Sequence, residues 1–119
     1  MHERSKLPRG LALKSSARIR RLLRTGRRIT GEYFVCVWQP EQDFRYAVLV
    51  GRKLGTAVRR NRVKRLLREA LRLHRMRLMA PVHIIMLPHT RLKAGNLTFE
   101  QFNQGMREAI SAINRRLDR

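Results

Sequence analysis

Acidic residues are scarce in this chain. Its 119 residues include 8 Asp and Glu against 28 Lys and Arg, which gives a formal net charge of +20 and a pI near 12. A compact body with that charge repels itself, and its natural counterpart is a polyanion. Nucleic acid is therefore the first candidate partner, ahead of an anionic membrane surface or an acidic protein.

Cysteine and long apolar runs are also scarce. Cys36 is the one cysteine, so an intramolecular disulfide is impossible and a reducing compartment is expected. No stretch approaches the roughly 20 apolar residues that a membrane-spanning helix needs, and residues 1–6 lack the apolar region of a signal peptide. The sequence therefore predicts a cytoplasmic protein without a membrane partner.

Apolar residues are present in ordinary amounts, at 43%. That is enough to bury one modest core, and a disordered basic tail would lack the material for it. The length fits one domain. We therefore expect a single domain over residues 1–119, in which residues 1–12 form a flexible basic N-terminal segment.

The positive charge is concentrated in two segments. Residues 1–28 hold ten Lys and Arg with one acid, and residues 52–77 hold eleven with one acid. The remaining 65 residues are nearly neutral, with seven bases and six acids. This sorting predicts a charged face beside a structural body.

The pattern of apolar residues predicts a mixed fold. Two β-branched and aromatic runs, 33–38 and 46–50, flank a turn at 39–43 and predict an antiparallel hairpin. A third, almost wholly apolar run at 82–87 predicts a strand that is covered on both faces. Helices are expected over 16–25, over about 56–76, and from the capping box at Thr98 onward. The order α-β-β-α-β-α indicates an α/β fold, an α+β sandwich with helices covering a small sheet.

Residues suited to catalysis or metal binding do not cluster in the sequence. The four histidines lack metal-ligand spacing with one another or with Cys36, and the acids form no close pair for acid–base chemistry. Cys36 alternates with Phe34 and Trp38 along a strand, which predicts a buried thiol. We therefore expect no catalytic residue and no metal site in the protein itself. The histidines are His2, His74, His83 and His89.

The second predicted helix carries rows of bases opposite its apolar stripe. Guanidinium groups that recur every three or four residues can reach successive phosphates, and each planar fork can bind two oxygens. Asn61 lies inside the run and offers a donor and an acceptor to a base edge or a 2′-hydroxyl. A solvated arginine-rich face is the alternative, but one acid among eleven bases argues against it. The rows are Arg59, Arg62, Arg65, Arg68, Arg72 and Arg75, with Arg60, Lys64 and Arg68 beside them.

The segment 52–70 resembles the signature of the bacterial ribonuclease P protein subunit. Its pattern Lys-x-Gly-x-Ala-Val-x-Arg-Asn-Arg-x-Lys-Arg-Leu fits without gaps from Lys53 onward. The agreement elsewhere is looser and extends over roughly residues 7 to 117. The resemblance implies a ribosomal protein S5 domain 2-like fold with a left-handed β-α-β crossover, an exception to the usual right-handed rule.

The resemblance also implies a function. The chain would be the non-catalytic subunit of an endoribonuclease that removes the 5′ leader from precursor tRNA. The RNA subunit would carry the chemistry with its own Mg²⁺, an assignment that leaves the protein without a bound cofactor. The expected partners are this catalytic RNA, with one protein per RNA, and the precursor tRNA leader.

Two sets of residues follow from the helix pattern and the resemblance. The expected RNA-binding residues are Arg52, Lys53, Arg59, Arg60, Asn61, Arg62, Lys64, Arg65 and Arg68. The leader cleft, between the first helix and the sheet, is expected to include Ile19, Leu23, Phe34 and Val37. Relatives usually place aromatic residues in this cleft, whereas Ile19, Leu23 and Val37 lack the π-face that makes base stacking strong. Gly51 also stands where a serine is common.

Three other functions fit part of the pattern. A ribosomal or other structural RNA-binding protein predicts the same charge, but would purify with ribosomes and leave tRNA processing unaffected. A DNA-binding protein would insert the second helix in a major groove, although strands, not a partner helix, precede it. A membrane-surface protein would need an exposed apolar helix face, which the core requires here.

Overall fold

The computed structural model describes residues 7–92 and 97–118. Three helices and four strands make up one α/β domain, which confirms the predicted fold class. Short 3₁₀ turns at Arg9–Leu11, Arg52–Leu54 and Arg75–Arg77 join some of them. The elements in chain order are α1 (Ser16–Thr25), β1 (Arg27–Thr30), β2 (Phe34–Pro40), β3 (Arg45–Val48), α2 (Ala57–His74), β4 (Val82–Pro88) and α3 (Phe99–Leu117).

Side-chain caps fix the starts of α1 and α3. The Ser15 hydroxyl accepts from the Arg18 amide at 3.2 Å and starts α1. At the start of α3, the Thr98 hydroxyl accepts from the Gln101 amide while the Gln101 side chain accepts from the Thr98 amide. These bonds satisfy amides that have no partner inside the helix. The predicted capping box is therefore confirmed.

The strand order is β1-β2-β4-β3, and the predicted hairpin is wrong. β2 pairs with β4 in antiparallel fashion, and β3 pairs with β4 in parallel. β4 is buried on both faces, as its apolar sequence predicts. A strand with two apolar faces buries the most surface when it lies between two other strands and not at the edge of the sheet. The loop between β2 and β3 therefore crosses β4, a distance of about two strand spacings or 10 Å.

The sequence did not reveal β1. This strand reads Arg-Arg-Ile-Thr, and three of its four residues are exposed. It pairs with β2 at the edge of the sheet, where charged side chains discourage association with further strands. Its composition therefore fits an edge strand, although it lacks the apolar alternation that identifies most strands.

The sheet has a different apolar cluster on each face. α2 and α3 cover one face and form the main core with alternate residues of β2 and β4, among them Trp38 and Ile84. α1 covers part of the other face, where Leu22 packs with Val37 and Ile85. The sheet is thus covered fully on one side and partly on the other.

The chain before α1 lies against the edge of the sheet. Ala12 forms a parallel bridge with Tyr46 of β3, and the Leu13 amide donates to the Tyr46 carbonyl at 2.7 Å. Arg45 donates to the Gly10 carbonyl at 2.8 Å. Of the segment 1–12 expected to be flexible, residues 7–12 are therefore held against the body, and residues 1–6 lie outside the described residues.

Two hydrogen bonds to Asp43 hold the loop between β2 and β3 to the sheet. His83 of β4 is buried, and its Nε2 lies 2.9 Å from an Asp43 carboxylate oxygen. The Arg45 side chain donates to the other oxygen at 2.8 Å. The hydrogen bonds from His83 and Arg45 lower the pKa of Asp43 from 3.8 to about 2.

We expect Asp43→Asn to reduce the pH dependence of stability in acid. The pKa of Asp43 is lower in the folded chain, so the pair stabilises the fold above pH 4 and loses this effect as the pH falls from about 4 to 2. Denaturant midpoints measured between pH 6 and 2 should show the variant less stable than wild type at pH 6 and similar to it at pH 2. Asp118→Asn, at the end of α3, is the control. Parallel midpoint curves for wild type and Asp43→Asn would contradict the expectation.

Candidate RNA interface

The basic helix α2 starts from a tightly fixed turn. Leu54 is buried and anchors the 3₁₀ turn, and Gly55 follows with φ +133°, a conformation that L side chains rarely adopt. The Thr56 hydroxyl then accepts from the Arg59 amide at 3.2 Å and caps the helix. The first two turns of α2, which contain the Arg60-Asn61-Arg62 sequence, are therefore held in a defined orientation on the domain.

The two faces of α2 have opposite characters. Val63, Leu67, Ala70, Leu71 and His74 are buried against the sheet and α3. The predicted RNA-binding residues occupy the remaining surface of the helix and the turn before it. Six of them are exposed and three are half-buried. The exposed ones are Arg52, Lys53, Asn61, Arg62, Arg65 and Arg68, and the half-buried ones are Arg59, Arg60 and Lys64.

Glu69, the acidic residue on this surface of α2, is paired with an arginine of the same helix. Glu69 accepts two hydrogen bonds from the Arg72 guanidinium, at 3.1 and 2.5 Å. A bidentate pair of this kind places the positive charge beside the carboxylate. The neighbouring arginines of α2 consequently present an almost uniformly positive surface to an anion.

Arg60 differs from the exposed arginines around it. It is half-buried, and its Nε is shielded from solvent and without a hydrogen-bond partner among the described residues. Its aliphatic stem therefore contributes packing as well as charge. Arg62 and Arg65 are exposed, so substitutions there test the charge of the helix with less disturbance of its packing.

A second set of arginines lies on α1, across the sheet from α2. Arg18, Arg20, Arg21 and Arg24 are exposed on this helix. The arginines that follow have structural contacts. Arg28 donates to the Leu23 carbonyl at the end of α1 at 3.1 Å, and the Arg27 guanidinium lies 5.3 Å from the centre of the Trp38 ring. The N-terminal basic segment thus divides into a solvent-facing row and a structural pair.

An open apolar strip runs beside α1 on the sheet. Ile19 and Leu23 are half-buried on the helix, and Val35, Leu49 and Leu87 are half-buried on the sheet in the same cluster. We call these five residues the α1 cleft. Of the five, only the two helix residues were predicted from the sequence. Strand alternation supplies the missing signal, because Val35 lies two residues before Val37 and therefore on the same face.

The other two residues expected in the cleft are not accessible there. Val37 is fully buried beneath α1, where it packs with Leu22. Phe34 points to the opposite face of the sheet and packs in the main core against Phe102, with ring centres 6.1 Å apart. Assigning both to one surface was wrong because residues 34 and 37 are an odd number apart on one strand.

Cys36 and His74, two residues whose side chains could take part in catalysis, are buried within the fold. Burial raises the pKa of Cys36 from 9.0 to about 12, so its thiol stays protonated. His74 is buried and its Nε2 lies 2.7 Å from the Asn103 side-chain oxygen. Within residues 7–92 and 97–118, no three His, Cys, Asp or Glu residues are grouped to hold a metal ion.

No helix of the described chain is long and apolar enough to cross a membrane.

Comparison with known proteins agrees with this architecture. The family model of Ribonuclease P matches residues 7–114. The chain belongs to the ribonuclease P protein family. The ribonuclease P protein component of Coprothermobacter proteolyticus is 36% identical over 84 residues, covering 71% of this chain and 70% of the relative. That of Desulfatibacillum aliphaticivorans is 48% identical over 61 residues, covering 50% and 52%. The chain thus spans about half the length of some curated relatives in the ribonuclease P family.

Solved ribonuclease P proteins share the fold. The protein from Staphylococcus aureus superposes with a TM-score of 0.73 at 26% identity, covering 87% of this chain and 94% of that one. The protein from Thermotoga maritima gives a TM-score of 0.69 at 23% identity, covering 94% and 97%. The likeness therefore extends over nearly the whole length of each structure.

Proposed function

We propose that this chain is the protein subunit of ribonuclease P, with one copy per catalytic RNA. It binds the RNA through the basic surface of α2 and the preceding turn, and it assists removal of the 5′ leader from precursor tRNA. The observation that carries the proposal is the gap-free Arg60-Asn61-Arg62 motif of a ribonuclease P family member, at the capped start of a rigid helix.

The geometry of α2 suits an RNA backbone. Successive turns of an α-helix are about 5.4 Å apart, so exposed Arg62, Arg65 and Arg68 form a row that can contact neighbouring phosphates. Each guanidinium can donate two parallel hydrogen bonds to one phosphate. Asn61 carries no charge, and its exposed amide can donate and accept. The row of arginines together with Asn61 favours docking of α2 on RNA in one preferred position. Charge attraction alone would not select such a position.

The α1 cleft is the proposed site of the single-stranded leader. Its half-buried aliphatic residues can pack against bases, but they lack aromatic faces for strong stacking. Arg52 and Lys53 follow Leu49 closely in the chain and are exposed in the 3₁₀ turn before α2, where they can contact the leader as well as the catalytic RNA. Leader binding should therefore depend mainly on charge, with strong salt dependence and little dependence on leader sequence.

The protein contributes to cleavage by binding and positioning. Its buried Cys36 and hydrogen-bonded His74 supply no nucleophile or general base at either RNA surface. In the proposed complex, Mg²⁺ held by the RNA subunit would supply the hydrolytic chemistry, and the protein would hold and orient the RNA. The positive surface of the protein lowers the repulsion between the RNA subunit and its polyanionic substrate.

The cleavage assay tests the proposed function directly. RNA-free protein should not cleave precursor tRNA, whereas protein added to a bacterial ribonuclease P RNA should restore cleavage at low Mg²⁺ concentrations at which the RNA alone is inactive. Release of the 5′ leader, followed on a gel, is the measurement. Cleavage by protein free of RNA, or no stimulation of the RNA, would refute the proposal.

Substitutions on α2 test the interface. Arg62→Ala and Arg65→Ala should each weaken binding to the RNA subunit by about 1–3 kcal/mol, because each removes a charge-assisted contact. The slope of log affinity against log salt should shrink by roughly 0.7–0.9 per residue. Arg60→Ala should weaken binding similarly and also lower the melting temperature, because Arg60 is half-buried. Arg107→Ala, which removes an exposed arginine of α3, is the charge-matched control. Equal losses for Arg107 and the α2 variants would show that binding follows net charge alone.

Aromatic substitutions test the α1 cleft. The double variant Ile19→Phe and Leu23→Phe should bind leader-bearing precursor tRNA more tightly than wild type and leave mature tRNA affinity unchanged. The reason is that stacking contributes about 1–3 kcal/mol per base. If both residues serve only the packing beneath α1, the larger rings should destabilise the fold by about 1–3 kcal/mol. Affinity for both tRNAs and the melting temperature separate these cases. A lower melting temperature without a gain for precursor tRNA would refute the cleft assignment.

A further inference from the structure

A groove of about 890 Å³ separates the N-terminal segment from α2. It lies at the β3 edge of the sheet, away from the α1 cleft. Leu7 and Ala12 line one side, Leu66 lies on the α2 side, and the rings of Tyr46 and Phe99 complete the apolar lining. Its size is within the range of about 300–1,000 Å³ that is typical of small-molecule sites.

The rim of the groove is basic and continuous with the α2 surface. Arg65 and Arg68 stand on its edge and are exposed, and Lys14 faces them from the N-terminal segment. The Glu69–Arg72 pair also lies at the edge, with its charges matched. A matching ligand has an apolar, flat part that fits the lining of the groove. It also has a negatively charged part that reaches the basic rim.

We propose that this groove binds one unpaired nucleobase of the RNA subunit, with the flanking phosphates held by Arg65 and Arg68. The inference rests on the proposed function and adds a base-recognition site to it. The base inserts between the apolar side chains and stacks on the ring of Phe99, which is half-buried and lines the groove. Its sugar and phosphates remain at the rim.

The geometry favours a base that is not paired. A base within a duplex presents only its edge, whereas an unpaired base can be turned out and stacked on an aromatic ring or a guanidinium plane. Tyr46 is buried and adds a second aromatic ring to the lining. The groove therefore supplies what a nucleotide needs, namely an apolar slot with cations beside it.

An acidic peptide would satisfy only part of this site. Carboxylates can pair with Arg65 and Arg68, but an apolar slot lined by an aromatic ring gains little from an acidic side chain. A nucleotide matches both features, because every base has a π-face and every linkage has a negative charge. The charge and the lining together favour RNA.

Nucleotide titration of the full chain tests the site without reference to any particular RNA. Adenosine 5′-monophosphate should shift the NMR signals of the Phe99 ring and the Leu66 methyl groups. Ribose 5-phosphate, which carries the same charge without a base, should not shift them. A response to both compounds or to neither would overturn the proposal. Equal shifts from a tetraglutamate peptide would also overturn it, in favour of a site for acidic peptides.

A matched pair of substitutions tests the site within the complex. Phe99→Leu keeps an apolar side chain but removes the ring, and should weaken binding to the RNA subunit by about fivefold to one hundredfold. The salt slope should stay unchanged, because no charge is lost. Tyr33→Leu removes another half-buried ring, which packs against Phe102 away from the groove, and should leave the affinity unchanged.

The outcomes separate the groove from the proposed function. If wild type binds the RNA subunit and Phe99→Leu binds equally well, the groove assignment fails and the function stands. If wild type does not bind the RNA subunit at all, the proposed function fails, and the nucleotide titration alone decides whether the groove takes a base. Equal losses for Phe99→Leu and Tyr33→Leu would mean that the ring of Phe99 acts only through general stability, which overturns the proposal.

Discussion

The packing of α2 on the sheet is the contact on which the surface chemistry depends. Val63, Leu67 and Leu71 are fully or almost fully buried at helical spacing, and together they contribute several kcal/mol of hydrophobic free energy. Once this stripe faces the core, the arginines between its members can only point outward. The same side chains that stabilise the fold therefore determine which face of the helix carries the exposed arginines.

A net charge of +20 must also be accommodated within the folded chain. Several bases are used internally. Arg28 binds a backbone carbonyl at the end of α1, Arg75 lies over the Phe44 ring, and Arg77 donates to Ser111. These contacts fix the guanidinium groups in place but do not neutralise them, because their partners are uncharged. They distinguish arginines that contact the framework of the fold from arginines such as Arg62, Arg65 and Arg68, which are exposed on α2. Net charge does not make that distinction.

The surfaces assigned to RNA lie on different sides of the sheet. The α1 cleft is on the face that α1 covers only in part, whereas α2 and the groove lie beside the opposite face. In the proposed complex, the catalytic RNA and the leader therefore approach from different directions. A small domain of 39 × 38 × 26 Å can in this way join two RNA segments.

The sequence by itself determined the features that depend on neighbouring residues. The capping box at Thr98 predicted where α3 begins, and the gap-free segment around Arg60-Asn61-Arg62 indicated the family. The apolar run of β4 also predicted a strand covered on both faces. Each signal acts within a few residues, so it can be read along the chain.

Only the tertiary structure decided the features that depend on distant residues. Adjacent β2 and β3 are separated by β4, which arrives 34 residues after β3, because burying β4 on both faces outweighs a local hairpin. That arrangement brings Leu49 and Leu87 beside Val35 on the face that α1 covers in part, where the three residues line the α1 cleft. The groove is lined by residues as far apart in the sequence as Leu7 and Phe99. No local pattern encodes such a site, since it exists only where separate elements pack together.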